Sequence, residues 1–182
     1  MKLFKKFAFL LLPAFLVLGA QKTYALMHVG VSVPISYSMT GVDSSEKAGL
    51  KLSSYSGLGL NVVIPGGMML RYDQFTQNFT TGAKNEIALF SIGYRLDLIT
   101  TPLHLAGAFG LGTDEYSYGS VTYKANSPSQ IYLEIGYNII PLLDISLGMH
   151  RISGKKISYN DGSKSRSDMS AQAFSLGLNF GF

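Results

Sequence analysis

The chain ends on a strand pattern that few folds can accommodate. Over its last nine residues, large apolar side chains alternate with serine, glycine and asparagine; the apolar ones are Phe174, Leu176, Leu178, Phe180 and Phe182. A repeat of two puts all five on one face of a β-strand. In a soluble sheet such an edge strand would promote aggregation. In a membrane barrel the same face contacts lipid and the opposite face lines a polar lumen.

The N-terminus carries a targeting pattern. Three lysines among the first six residues precede an apolar run, and small residues follow it. The run of about a dozen residues is too short to span a bilayer, for which about 20 are needed. The pattern therefore predicts a cleaved secretory signal peptide over residues 1–25 rather than a membrane anchor. Cleavage is expected after Ala25, with Ala20 as the alternative.

The charge balance does not favour a nucleic-acid partner. The whole sequence has 15 Lys and Arg against 11 Asp and Glu, but four of the lysines lie in the targeting segment. The predicted mature domain, residues 26–182, therefore has 11 basic and 11 acidic residues, and no nucleic-acid partner is expected. The chain has no cysteine, which excludes a lipoprotein anchor and a disulfide framework.

Two-residue alternation recurs along the mature segment and divides it into eight strands. Their apolar faces are centred on Val31, Leu60, Leu70, Ile92, Leu105, Ile135, Ile145 and Leu178. Long polar loops alternate with short turns, and the loops fall at Thr40–Gly49, Gln77–Lys84, Thr113–Pro128 and Ser153–Ser167. Each strand supplies about the 9–11 residues that a tilted spanning strand needs. The pattern predicts an all-β fold, an eight-stranded antiparallel transmembrane up-and-down β-barrel, with both termini periplasmic.

The signal peptide, the eight alternating strands and the phenylalanine-terminated last strand together resemble a known superfamily. It is the small eight-stranded outer-membrane barrels of Gram-negative bacteria, which include the OmpA-barrel, OmpX/Ail and OmpW-like groups. The last strand is similar to the C-terminal signal by which such barrels are recognised for insertion. The resemblance implies an outer-membrane location, contact with lipid and lipopolysaccharide, delivery by the barrel-assembly machinery, and a monomer. It covers the whole mature chain and leaves the subfamily open.

Four charged residues have lumen-facing parity at similar predicted heights: Arg71, Asp73, Arg95 and Glu134. An eight-stranded barrel is just wide enough for its side chains to fill it, and charges in such an interior must be paired. We therefore expect the two arginines to pair with the two carboxylates as a structural plug. The alternative is a selectivity or gating cluster.

No catalytic, cofactor or metal site is predicted. His150 and Ser153 loosely resemble the histidine–serine pair of outer-membrane lipid A deacylases, but a spacing of three puts them on opposite faces of a strand. A metal site needs three or four clustered ligands. The sequence has only three histidines, and His28 and His104 lie far from His150 along the chain.

The predicted function is a non-catalytic outer-membrane barrel that exposes extracellular loops and contributes to envelope integrity or surface interaction. An OmpW-like conduit for small apolar solutes is the alternative, and a lipid A-modifying enzyme is a third. A conduit would need a hydrophobic upper lumen. The inward positions expected there are polar: Ser36, Ser38, Lys51 and Ser53.

Overall fold

The computed structural model describes residues 27–40, 51–98, 101–125, 127–140, 142–154 and 170–182. They contain the strands β1 (His28–Met39), β2 (Leu52–Val63), β3 (Met68–Phe79), β4 (Lys84–Asp97), β5 (Leu103–Tyr118), β6 (Val121–Ala125), β7 (Ser129–Ile140), β8 (Leu143–Ser153) and β9 (Ala171–Gly181). Within these ranges no helix is long and apolar enough to cross a membrane. The predicted signal peptide, and most of the loops Thr40–Gly49 and Ser153–Ser167, lie outside the described residues.

Eight of the strands form a closed antiparallel barrel wall. β1 to β5 pair in chain order, β5 then pairs with β7, and β8 and β9 continue the sheet. β9 returns to pair with β1, which places Phe180 opposite Val29 and Leu176 opposite Val33. Closure removes the free edges that an open sheet would expose to lipid. The predicted fold class is confirmed.

β6 is an extension of the wall rather than part of it. Within the described residues it pairs only with the end of β5, from Asp114 opposite Ala125 to Tyr118 opposite Val121. The prediction of a loop over Thr113–Pro128 is therefore wrong for most of its length. The strand continues there with polar outward residues, so the apolar alternation that marks the spanning strands is absent. β3 and β4 likewise extend into the predicted loop Gln77–Lys84.

The outer face carries an apolar band that defines two ends of the barrel. Side chains in the band are about half exposed, among them Val31, Phe90, Phe109, Ile135 and Leu176. Beyond the band the outward positions of β3, β4 and β5 are polar: Gln74, Thr76, Glu86, Thr113 and Glu115. The end that carries β6 is called the loop end below. The end where the backbones of Met27 and Phe182 pair is called the terminal end.

A bulge in β1 reverses the facing of its last residues. Pro34 lies opposite Ser175 and Ser36 lies opposite Phe174, so Ile35 is an extra residue in the ladder. Beyond it Tyr37 points into the barrel and is 8 % exposed, whereas Ser36 and its outward neighbours are exposed. The sequence alternation puts Tyr37 on the same face as Val31 and so predicts that it faces lipid. This prediction is wrong, because one inserted residue shifts the alternation by one position.

The seam between β1 and β2 loses its backbone ladder toward the loop end. Residues 28–32 pair with residues 59–63, and no further pairing joins these two described strands. Pro34 has no N–H to donate. In place of the ladder, the Tyr55 hydroxyl donates a hydrogen bond of 2.7 Å to the carbonyl oxygen of Ile35. The wall is therefore weakest between β1 and β2 near the loop end.

Candidate functional site: the polar lumen

All eight wall strands contribute polar side chains to the half of the lumen nearer the terminal end. They are Ser32, Asn61, Arg71, Asp73, Ser91, Arg95, His104, Gln130, Glu134, Asp144, Ser146, His150, Ser175 and Asn179. Each is at most 6 % exposed. Buried polar groups are stable only when they bond to one another, so their pairing decides whether this region is a plug or a channel.

Arg71 and Asp73 form the central ion pair. They lie two residues apart on β3, and this spacing directs both side chains inward. Arg71 Nε donates to both carboxylate oxygens of Asp73 at 2.9 Å, and its Nη2 donates to Oδ1 at 2.7 Å. Nη2 also donates to Ser32 Oγ of β1 at 2.6 Å. The guanidinium thereby links two strands across the lumen.

Arg71 also stacks on an aromatic ring that leads to the next carboxylate. Its guanidinium carbon lies 4.0 Å from the centroid of Tyr132, and the Tyr132 hydroxyl donates to Glu134 Oε2. Two glycines make room for this stack. A Cβ on Gly148 would lie 2.6 Å from the Tyr132 ring, and one on Gly59 would collide with the Arg71 guanidinium.

Glu134 is held by β5 and β8 as well. Its Oε1 lies 3.2 Å from His104 Nε2, and its Oε2 accepts a hydrogen bond of 3.0 Å from Ser146 Oγ. His104 packs flat against Gly136, where any side chain would overlap the ring. With the Tyr132 phenol, three neighbouring side chains surround a single buried carboxylate.

Arg95 pairs with carboxylates other than those predicted. Its Nε donates to Asp97 at 2.8 Å, and its Nη1 lies 2.9 Å from Asp144 Oδ2. Among the described contacts, Arg95 makes no bond to Asp73 or Glu134. The expected pairing is therefore correct for Arg71 and wrong for Arg95. Asp144 of β8 has inward parity in the sequence, but nothing in the sequence indicates it as the partner of Arg95.

Asp144 connects Arg95 to the rest of the network. Asn179 Nδ2 donates to Asp144 Oδ1 at 2.6 Å, and Asn61 Nδ2 donates to Asn179 Oδ1 at 3.0 Å. His28 Nδ1 lies 3.9 Å from Asp144 Oδ2. Asn179 also lies 3.5 Å from Ser146 Oγ, which bonds to Glu134. One connected network thus runs from the terminal end to mid-lumen.

His150 lies between a serine and an aspartate, the residue types of a catalytic triad. Its Nε2 is 2.9 Å from Ser175 Oγ, and its Nδ1 is 3.2 Å from Gln130 Oε1 and 3.8 Å from Asp73 Oδ2. His150 and Ser175 are at most 2 % exposed, so this arrangement presents no accessible nucleophile. Ser153 is exposed on the outer face while His150 points inward, as their spacing predicted.

The layer of the lumen directly beyond the ion pairs, toward the loop end, is apolar, contrary to the sequence prediction. The inward residues above the ion pairs are Tyr37, Phe75, Ile87, Leu89 and Ile152, with Ala171 and Ala173. Ser36, Ser38, Lys51 and Ser53, which were expected there, are exposed instead. The β1 bulge accounts for the first two, since it turns Tyr37 into the space they were expected to fill.

The C-terminal strand occupies the position predicted for it. Leu176, Phe180 and Phe182 face outward and are 45–67 % exposed, and Phe174 and Leu178 on the same face are half-buried. β9 pairs with β8 on one side and with β1 on the other. This placement is the one that a closing strand requires. Its use as an assembly signal stays a prediction.

Sequence reasoning identified most of the lumen-facing residues but, among the partners, only that of Arg71. His104, Gln130, Tyr132 and Asp144 all had inward parity in the sequence, and the structure buries all four. The alternation shows which face a side chain lies on but not its height along the barrel axis. That height depends on the stagger between strands, which sets which inward residues share a layer. Among the described residues no group of three or more His, Cys, Asp or Glu side chains could hold a metal ion.

Comparisons with known proteins identify the fold. No protein-family model matches the chain, and no curated protein sequence matches it. Among solved structures, Neisserial surface protein A is similar at a TM-score of 0.57 and 13% identity, covering 86% of this chain and 96% of that one. The N-terminal β-barrel domain of Pseudomonas aeruginosa OprF is similar at a TM-score of 0.55 and 7% identity, covering 87% and 98%. The chain therefore has the fold of the small eight-stranded outer-membrane β-barrel proteins.

Proposed function

We propose that this protein is a non-catalytic outer-membrane barrel. Its lumen is sealed in the half nearer the terminal end, and its loop end is exposed for envelope integrity or surface interaction. The observation that carries this proposal is the connected network from Asp144 to Asp73. Charged groups that are paired and buried resist hydration, because separating them strands a charge in a medium of low dielectric. A plug of this kind lets a barrel cross a membrane without leaking.

The apolar band supports placement of the barrel in the outer membrane. Its half-exposed side chains match the lipid-facing surface of such barrels. The short turn at residues 64–67 lies at the terminal end, whereas the β5–β6 hairpin extends the opposite end. This asymmetry favours a periplasmic terminal end and an extracellular loop end. The partners we propose are outer-membrane lipid, lipopolysaccharide and the barrel-assembly machinery, with the protein itself a monomer.

Conductance tests the seal. The mature protein, refolded and inserted in a planar bilayer, should show no stepwise current, and a strain lacking it should become more sensitive to detergent. Glu134→Gln should remain non-conducting while losing stability. If Glu134→Gln is as stable as the parent and opens a channel, the network is a filter rather than a plug. The lipid A of the deletion strain should have an unchanged mass spectrum; an altered one would favour the enzyme.

A second function is supported by specific observations. The apolar inward surface around Phe75, Leu89 and Ile152 and the unpaired β1–β2 seam lie at the same end of the barrel. Together they would suit a lateral conduit, in which a small apolar solute enters at the loop end and leaves between β1 and β2 into the bilayer. Because the half of the lumen nearer the terminal end is sealed, the solute would leave laterally through the barrel wall.

Solute uptake separates the two functions. Tyr55→Phe removes the hydroxyl that bonds to Ile35 across the seam and should speed the uptake of a small apolar solute if the seam opens. Tyr72→Phe, on the outer face of β3, is the matched control. Uptake that is the same in the deletion strain, the parent and both variants would contradict the conduit and favour the sealed barrel.

A further inference from the structure

Three polar side chains meet inside the barrel near the loop end. Gln77 of β3 lies directly opposite Asn85 of β4, and Asp114 of β5 lies opposite Ile87, the next inward residue of β4. All three point inward, and none is more than 1 % exposed. Their level is beyond the apolar band, where the neighbouring outward residues are polar.

These side chains hold a concentration of unpartnered polar atoms. Gln77 Oε1, both amide atoms of Asn85 and both carboxylate oxygens of Asp114 are buried without a well-formed hydrogen bond, although the Asn85 amide lies close enough to Asp114 to act on its carboxylate. The amide nitrogen of Gln77 is used, since it donates to the Tyr37 hydroxyl. Native proteins leave few such atoms unsatisfied, and the four oxygens among these five atoms call for an electropositive occupant.

Asp114 differs from the other buried carboxylates in its charge balance. Asp73 pairs with Arg71, Asp144 with Arg95, and Glu134 lies against a histidine. Among the described residues, Asp114 has no ion pair. An ionised carboxylate in such a place is costly unless a cation compensates it.

We propose that Gln77, Asn85 and Asp114 form a binding site for a hard metal cation of the alkali or alkaline-earth type. The four unpartnered oxygens comprise two from a carboxylate and two from amide carbonyls. Oxygen-only sets of this composition suit such cations, whereas softer metals prefer nitrogen and sulfur. A cation here would join β3, β4 and β5 at the point where the wall extends beyond the apolar band.

The pKa of the Asp114 carboxyl group is consistent with a cation site. Burial raises the pKa of Asp114 from 3.8 to about 6, and the nearby Asn85 amide lowers it by less. Among the described residues, Tyr37, Tyr55 and Tyr116, from β1, β2 and β5, are the other titratable groups on the inner face at this level. A bound cation favours the ionised form, so cation affinity should be greater at pH 8 than at pH 5.

Terbium luminescence tests the proposal on the refolded mature barrel. Tb³⁺ replaces Ca²⁺ at oxygen sites and is excited through nearby tyrosines; the chain has no tryptophan. The parent should show saturable emission that CaCl₂ reverses, with NaCl as the arm for a monovalent ion. Asp114→Asn should weaken binding by at least about tenfold. Glu115→Gln, which removes an adjacent outward carboxylate, should bind as the parent does.

A second readout guards against misfolding of the variant. CaCl₂ or NaCl, compared at equal ionic strength, should raise the unfolding midpoint of the parent and of Glu115→Gln but leave that of Asp114→Asn unchanged. Equal terbium binding by Asp114→Asn and Glu115→Gln would overturn the site. So would the absence of saturable binding, in which case ordered water satisfies the five atoms.

Discussion

The guanidinium of Arg71 is shared between two carboxylates by different means. It donates directly to Asp73, and it stacks at 4.0 Å on the ring of Tyr132, whose hydroxyl donates to Glu134. A cation over an aromatic face is attracted by the ring's negative face, and it also polarises the phenol toward donation. One arginine therefore organises charges contributed by β3 and β7.

Breaking this centre should destabilise the barrel strongly. Asp73→Asn leaves Arg71 buried without its carboxylate, at an expected cost of about 3–5 kcal/mol in the free energy of unfolding. The additional change Arg71→Met should recover part of that loss. Urea unfolding in lipid vesicles measures both effects.

An exposed ion pair of the same spacing is the control. Lys84 and Glu86 lie two residues apart on β4 with a separation of 2.5 Å, and their side chains are 45% and 42% exposed. Glu86→Gln should change stability by less than about 1 kcal/mol. If Glu86→Gln and Asp73→Asn lower the free energy of unfolding equally, burial does not explain the contribution of the Arg71–Asp73 pair to stability.

Gly148 should be required for its lack of a side chain. Gly148→Ala places a methyl group 2.6 Å from the Tyr132 ring and should cost about 1–3 kcal/mol by overpacking. At Gly107 the nearest atom to an added Cβ is 3.6 Å away. Gly107→Ala should therefore be neutral or stabilising by less than about 1 kcal/mol. A neutral Gly148→Ala would argue against the Arg71–Tyr132 stack.

The β1 bulge can be tested through Tyr37. Tyr37→Phe removes the acceptor for the Gln77 amide and should cost about 1–3 kcal/mol, because a buried donor is left unsatisfied. Tyr72→Phe on the outer face should stay within about 0.5 kcal/mol of the parent. If the strand had no bulge, Tyr37 would face lipid and both variants would behave alike.

Asp114 should make stability depend on pH. Its folded pKa of about 6 exceeds its unfolded value, so the folded state holds a proton that the unfolded state releases. The contribution of Asp114 to the free energy of unfolding should therefore fall as pH rises from about 4 to about 6 and then level off. Asp114→Asn should remove this component and Glu115→Gln should retain it, both measured in cation-depleted buffer. Identical pH profiles for Asp114→Asn and Glu115→Gln would contradict the raised pKa.

The C-terminal face should control assembly beyond its contact with lipid. Phe180→Asp, or deletion of Phe182, should leave secreted protein unassembled in the periplasm. Ile139→Asp is the matched control, since Ile139 is 51% exposed against 45% for Phe180 and lies near the same rim. Cell fractionation distinguishes them. Equal outer-membrane levels for Phe180→Asp and Ile139→Asp would contradict a special role of the last strand.

The alternation of apolar and polar residues in the sequence was sufficient to predict the wall of the barrel. Side chains separated by two residues must share a face of a strand, so the outward positions of Leu60, Ile92 and Leu176 and the inward positions of Arg71 and Glu134 were readable locally. The pairing of β9 with β1 followed from the same pattern, because an eight-stranded sheet with one apolar face must close.

Tertiary structure decided what the alternation cannot encode. The bulge at Ile35 does not interrupt the alternation in the sequence, yet it replaces Ser36 and Ser38 with Tyr37 on the inner face and makes the layer next to the ion pairs apolar. The partners of Arg95 depended on stagger between strands, which brings Asp144 rather than Glu134 to its height. Whether a side chain points inward or outward depends on its own strand and can be predicted from that strand's sequence. Its height in the lumen depends on how all the strands are staggered in the closed sheet.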